Sequence, residues 1–123
     1  MKRTAENERL PLVDAHAHLG DAVFDDDREE VLGRARQAGV RVVIVVGETL
    51  HEAKHNLELA GHLGTQFRAC AGLYPTILDE EQADAIESLI RHRRDDLVAI
   101  GEVGLDHWKV KDADERELQR KIF

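Results

Sequence analysis

Arg41-Val42-Val43-Ile44-Val45-Val46 runs directly into Gly47-Glu48-Thr49. A strand with one wet face alternates polar and apolar residues. An almost unbroken β-branched run instead fits a strand covered on both faces, as in a parallel sheet. Leu97-Val98-Ala99-Ile100 reads the same way, and two further β-rich runs precede it, giving strand candidates at 12–18, 41–47, 67–73 and 97–102. Between them lie helical patterns with readable ends. The first follows Asp25-Asp26-Asp27, which reads as its N-terminal cap, carries Val31, Leu32, Ala35 and Ala38 on one face, and stops at Gly39. The second opens on Thr49-Leu50-His51-Glu52, a capping box, buries Leu50, Ala53, Leu57 and Ala60, and ends near Gly61 or Gly64. The third starts at Asp79 and buries Ala83, Ile86, Leu89 and Ile90; the fourth begins near Asp112 and presents Leu118 and Ile122.

Four βα units in succession predict an α/β fold built on a parallel sheet with right-handed crossovers. The sequence predicts one domain over residues 11–123 behind a polar tail at 1–10. The fourth helix has no Gly, Asn or Pro stop, and its apolar face is still running at Ile122-Phe123. The expectation is a chain that continues beyond this point.

Composition bounds the function. The 123 residues are 42% hydrophobic and 34% charged, the balance of a globular chain rather than a disordered one. No apolar run approaches the roughly 18 residues of a membrane span, and Met1 to Arg9 lacks the apolar core of a signal peptide. A soluble cytoplasmic protein with no membrane partner is expected. Cys70 is the single cysteine, so an internal disulfide is impossible, and its apolar surroundings favour a buried thiol over a nucleophile. The net charge of −8 disfavours broad tracking of nucleic-acid phosphates. A phosphoester held where metal ions supply the positive charge remains compatible with it.

Leu12-Val13-Asp14-Ala15-His16-Ala17-His18 places two histidines two residues apart at a strand end. Alternation along a strand sends both rings to one side, where neutral imidazoles form half of a divalent-metal site. Taken alone the pair reads equally well as a surface histidine pair. Functional groups in parallel α/β folds gather at the carboxyl ends of strands, so the other strand ends decide the matter. Glu102, straight after Val98-Ala99-Ile100-Gly101, is a carboxylate at the end of a buried-looking strand. It needs a partner there, either a metal or a salt bridge to Arg or Lys.

Asp14-Ala15-His16-Ala17-His18, the Gly-x-x-Pro turn at Gly72 and Pro75, and Ala99-Ile100-Gly101-Glu102-Val103-Gly104-Leu105-Asp106 resemble the TatD-type metal-dependent hydrolases of the amidohydrolase superfamily. The segment from Glu115 to Phe123 resembles the helix that follows the Gly-Leu-Asp motif there. The resemblance implies the N-terminal half, about four βα units, of a (βα)8 TIM barrel. It further implies two divalent ions (Mg, Mn or Zn) at the carboxyl face and hydrolysis of phosphodiesters in DNA. By motif match His16 and His18 ligate one metal, Glu102 bridges both and acts in catalysis, and Asp106 supports the loop or contacts substrate. Tyr74 stands where the family usually has histidine. The family's remaining ligands, two histidines and an aspartate, come from later strands, so this chain alone is expected to be incomplete and inactive. The rival expectation is a stand-alone half-barrel, a binding module closed by homodimerisation through its open edges.

Smaller signals have blander explanations. His51-Glu52-Ala53-Lys54-His55 matches the His-Glu-x-x-His pattern of zinc peptidases. Helical geometry nevertheless turns His51, His55, Glu58 and His62 away from Leu50, Ala53 and Leu57, towards solvent. Arg91-His92-Arg93-Arg94 complements a helix carboxyl end. Tyr74, His107 and Trp108 follow strand ends, where they either line a substrate cleft by stacking or pack on its rim.

Overall fold

A computed structural model describes residues 10–123. The polar tail expected at 1–10 therefore lies, except for Leu10, outside the described residues. Strands β1 (Leu12–Ala17), β2 (Val40–Val45), β3 (Phe67–Ala71) and β4 (Ala99–Ile100) alternate with helices α1 (Arg28–Gln37), α2 (Leu50–Leu63), α3 (Glu80–Arg93) and α4 (Ala113–Ile122). The strands form one parallel sheet in the order β1-β2-β3-β4. Register is regular between β2 and β3, but β1 slips against β2 twice, between Leu12 and Val13 and between Asp14 and Ala17. Irregularities of this kind bend a strand and re-aim its side chains.

The core lies between the sheet and the first two helices. Val43, Val45, Phe67, Leu32 and Leu19 are buried together, with Phe24, Val31, Leu59 and Leu63 packed against them. The helix starts follow the sequence signals with instructive exceptions. Thr49 Oγ1 accepts from the Glu52 amide as a capping box requires, but the Glu52 carboxylate accepts from Glu48 N at 2.5 Å, one residue upstream of the cap. Asp27 occupies the cap position of α1 without capping it through its side chain. Of the three aspartates it is Asp25 that is engaged, accepting from Arg28 at 2.7 Å, while the capping carboxylate is Asp21, on the preceding short turn. Asp112 caps α4 through the amides of Asp114 and Glu115.

β4 is shorter than the sequence reading of 97–102: it pairs with β3 over only two residues. Glycines at 101 and 104 follow it, and Val98 and Ile100, like Leu12 and Val13 on β1, are exposed at the two outer strands of the four that this chain supplies. In α4 the buried residue is Gln119, which donates to Pro75 O at 2.7 Å, with Leu118 and Ile122 only half-buried.

Candidate metal centre

The irregular end of β1 is stabilised by its own aspartate. Asp14 Oδ1 accepts from the His16 amide at 3.1 Å, which fixes the backbone where the ladder to β2 slips. His16 and His18 emerge from this bend with ring centroids 5.3 Å apart and planes inclined by 64°. Arg28 secures the chain immediately downstream. Its buried guanidinium donates to Leu19 O at 2.6 Å and Asp21 O at 2.9 Å.

Glu102 is held from three sides. Its amide donates to Gly47 O at the end of β2, and the preceding Gly101 amide donates to Ala71 O at the end of β3. Beneath it lies Gly72, whose lack of a side chain lets the Glu102 backbone approach; an ideal Cβ there would meet Glu102 O at 2.7 Å. Gly47 and Gly20 in turn pack on Asn56, a buried α2 residue that donates to Val46 O.

The outcome is a convergence across the sheet. In a flat sheet β1 and β4 would stand about 14 Å apart with parallel side chains that never meet. Here the sheet curls, and His16 Nε2 lies 3.7 Å from Glu102 Oε1 while His18 Nε2 lies 3.5 Å from Glu102 Oε2. One donor atom from each of the three residues falls within 4.8 Å of the other two, and among the described residues this is the one such cluster of three. The separations exceed hydrogen-bond length. They match the roughly 3.4 Å between two ligands that each lie about 2.1 Å from a tetrahedral cation. Glu102 Oε2 is buried without a hydrogen-bond partner, a costly state that a cation relieves. The residues present therefore fit a divalent metal.

The other expected site residues fall outside this cluster. Asp106 Oδ1 accepts from the amides of Trp108 and Lys109, both at 2.9 Å, so it organises the turn after β4. Tyr74 sits above β3, its amide donating to Glu48 O and its hydroxyl accepting from Lys109 at 3.1 Å. That hydrogen bond, helped by the nearby Tyr74, Asp106 and Glu48 charges, pushes the Lys109 pKa up. Trp108 is 83% exposed. His51 and His55 stack face to face 6.5 Å apart on α2, with the Glu52 carboxylate engaged at the helix start, and among the described residues no third donor joins them in a cluster. Cys70 is buried, and burial raises its thiol pKa. A cavity of about 820 Å³ opens between α3, α4 and β4, lined by Ile86, Ile90, Ile100 and Ile122, and contains none of the three donors.

Asp14 and Gly72 entered the sequence analysis as members of motifs without a role of their own, and Arg28 and Asn56, which also hold the site together, were passed over. Arg28 left a signal of its own. A cation in the first turn of a helix opposes the macrodipole and calls for another reason to be there.

The family model described as TatD related DNase matches residues 13–123. The chain belongs to the TatD DNase family. It is 34% identical over 116 residues to a metal-dependent hydrolase of Bacillus subtilis, YabD, covering 91% of this chain and 43% of that protein. It is 35% identical over 96 residues to the 3'-5' ssDNA/RNA exonuclease TatD of Pantoea ananatis, covering 77% of this chain and 37% of that one. The crystal structure of the Escherichia coli TatD homologue YJJV superposes with a TM-score of 0.75 at 30% identity, over 89% of this chain and 42% of that one. The chain thus spans under half the length of these TatD relatives, and its four strands form a curled half of a TIM-barrel wall. No helix among the described residues is long and apolar enough to cross a membrane.

Proposed function

We infer that this chain supplies His16, His18 and Glu102 to the metal centre of a divalent-metal-dependent hydrolase acting on phosphodiester bonds in nucleic acid. The observation that supports this most directly is the buried, unpartnered Glu102 Oε2 facing His18 across the curl of the sheet. In this reading residues 11–123 are part of a TatD-type barrel, and two ions (Mg, Mn or Zn) occupy the complete centre. The names of the Bacillus and Pantoea relatives, a metal-dependent hydrolase and a single-strand exonuclease, support the chemistry and the substrate.

Bound divalent ions at such a centre activate water and offset the charge that develops on the phosphate. The protein residues do the positioning. His16 and His18 side chains are about half exposed, and Glu102 a quarter, so substrate reaches the donors from the open carboxyl face. The two carboxylate oxygens of Glu102 point one at each imidazole, so all three side chains would hold one ion between them. Asp106 acts as a positioning residue, because its Oδ1 is taken up by the turn that carries Trp108 and Lys109. Tyr74 and Trp108 line the approach to the centre.

Calorimetric titration of the chain with Mn or Zn ions tests the reading. Glu102→Gln and His16→Ala should each weaken binding about tenfold or more while the metal-free melting temperature stays within a few degrees. Unchanged affinity in both variants would remove these residues from the centre.

A further inference from the structure

The loops at the carboxyl ends of the four strands, residues 18–27, 46–49, 72–79 and 101–112, carry nine carboxylates. Their only lysines or arginines are Lys109 and Lys111, both in the last loop. Arg28, just past the first loop, is buried and committed to Leu19, Asp21 and Asp25. Among the four strand-end loops of this chain, a polyanion that reaches the three donors meets exposed cations at one place.

That place is also aromatic and rigid. Lys109 Nζ lies 5.1 Å from the Tyr74 ring centre, and Lys111 Nζ lies 5.0 Å from the Trp108 ring centre. Asp106 Oδ1 fixes the amides of Trp108 and Lys109, and Val110 is buried beneath them. Arg116 reaches back from α4 to the carbonyls of Val110 at 2.9 Å and His107 at 3.1 Å. The backbone is thus held on both sides while Trp108 remains 83% exposed. An indole with one face under an ammonium and the other open to solvent is a stacking platform on a preorganised support.

We propose that residues 107–111 form a subsite for single-stranded nucleic acid, with Trp108 stacking on a base and Lys109 and Lys111 pairing with the phosphates on either side. Interleaved aromatic and cationic side chains suit an unpaired strand, whose bases are free to stack. A duplex would present only its phosphates to them. The proposal deepens the function inferred above and rests on the same carboxyl face handling nucleic acid.

Trp108 is the only tryptophan in the chain, so its intrinsic fluorescence reports on the subsite alone. A short oligothymidylate should quench it saturably. The same backbone without bases should bind about fivefold or more weakly, and inorganic phosphate should leave the emission unchanged. Two phosphate contacts contribute a slope of about 1.4 in log affinity against log salt, or about sevenfold between roughly 50 and 200 mM. Replacing both cations, Lys109→Gln with Lys111→Gln, should reduce the slope by that amount, with the parent's circular dichroism retained. Absence of quenching, equal quenching by the abasic strand, or an unchanged slope in the double variant would each overturn the proposal. Glu102→Gln separates the two readings, because it should weaken metal binding about tenfold or more and leave the quenching intact. Metal binding without quenching sinks the subsite alone, and quenching without metal binding sinks the metal centre alone.

Discussion

Gly72→Ala is the substitution that most directly tests how the site is built. The added methyl would stand 2.7 Å from Glu102 O, 2.7 Å from Gly101 C and 2.9 Å from Glu102 N. All three are backbone atoms, so no side-chain rotation relieves the clash. The Glu102 amide is also tied to Gly47 O at 3.1 Å, which resists movement in the other direction. Regaining ordinary contact at 3.4 Å requires the Glu102 backbone to move by about 0.7 Å. Overpacking of this kind costs about 1–3 kcal/mol. At this chain length that corresponds to a fall in Tm of roughly 4–12 °C. Because the displaced atoms carry Glu102, the metal ligand proposed above, affinity for Mn or Zn ions should fall about 10- to 100-fold. Gly61→Ala is the matched control. Nothing lies within 4 Å of its ideal Cβ, and it sits inside α2, so the same change should stabilise by about 0.5–1 kcal/mol. Thermal melting and calorimetric titration of both variants decide the point. If Gly72→Ala melts and binds metal as Gly61→Ala does, the close approach of Gly72 to Glu102 is not what positions the carboxylate.

Arg28→Ala should cost about 3 kcal/mol in urea denaturation, because it leaves the Leu19 and Asp21 carbonyls unpaired next to His18. Arg28→Lys should recover less than half of that, since one ammonium cannot span carbonyls that a planar fork reaches together; a loss below about 0.5 kcal/mol in Arg28→Ala would contradict the role. Cys70 gives a pH signature: burial raises its thiol pKa, so above the ordinary thiol value of about 8.5 the folded state holds a proton that the unfolded state has lost. Its stabilising contribution is complete below that value and is lost as pH rises through the folded-state pKa. The urea midpoint should therefore fall more steeply with rising pH in the parent than in Cys70→Ala, and parallel profiles would show that the thiol does not contribute.

Much of the fold was legible because local signals agreed with one another. Thr49, Asp79 and Asp112 cap their helices where the sequence placed them, and the β-branched run at 42–46 became the centre of the sheet. The site was legible in part. His16, His18 and Glu102 stood out as strand-end residues, and they converge. What holds them was not visible, because it depends on partners far apart in sequence. Asn56 matters through Gly20 and Gly47, and Gly72 matters through Glu102, thirty residues away. β4 was legible as a strand but not in its length: 97–102 was expected, and glycines at 101 and 104 follow a ladder of two residues.

Within residues 10–123, burial and the three donors fall on different strands. Burial is concentrated in β2 and β3, where Val43, Val45, Phe67, Ala69 and Ala71 are all at most 2% exposed. The three donors of the proposed centre come instead from the end of β1 and the segment after β4, whose outward side chains contribute little to the core of residues 10–123. Backbone hydrogen bonds connect the two sets: Val46 N to Ala17 O on one side, Val98 N to Ala69 O and Gly101 N to Ala71 O on the other. The outer strands therefore take their geometry from the rigid central pair. Glu102 does so twice over, reaching past β3 to Gly47 at the end of β2. Among the described residues, core and proposed ligands are in this way carried by different strands. A change of ligand such as Glu102→Gln can alter metal chemistry without unpacking the core, whereas a change at the glycines that join the two sets, Gly47 and Gly72, disturbs both.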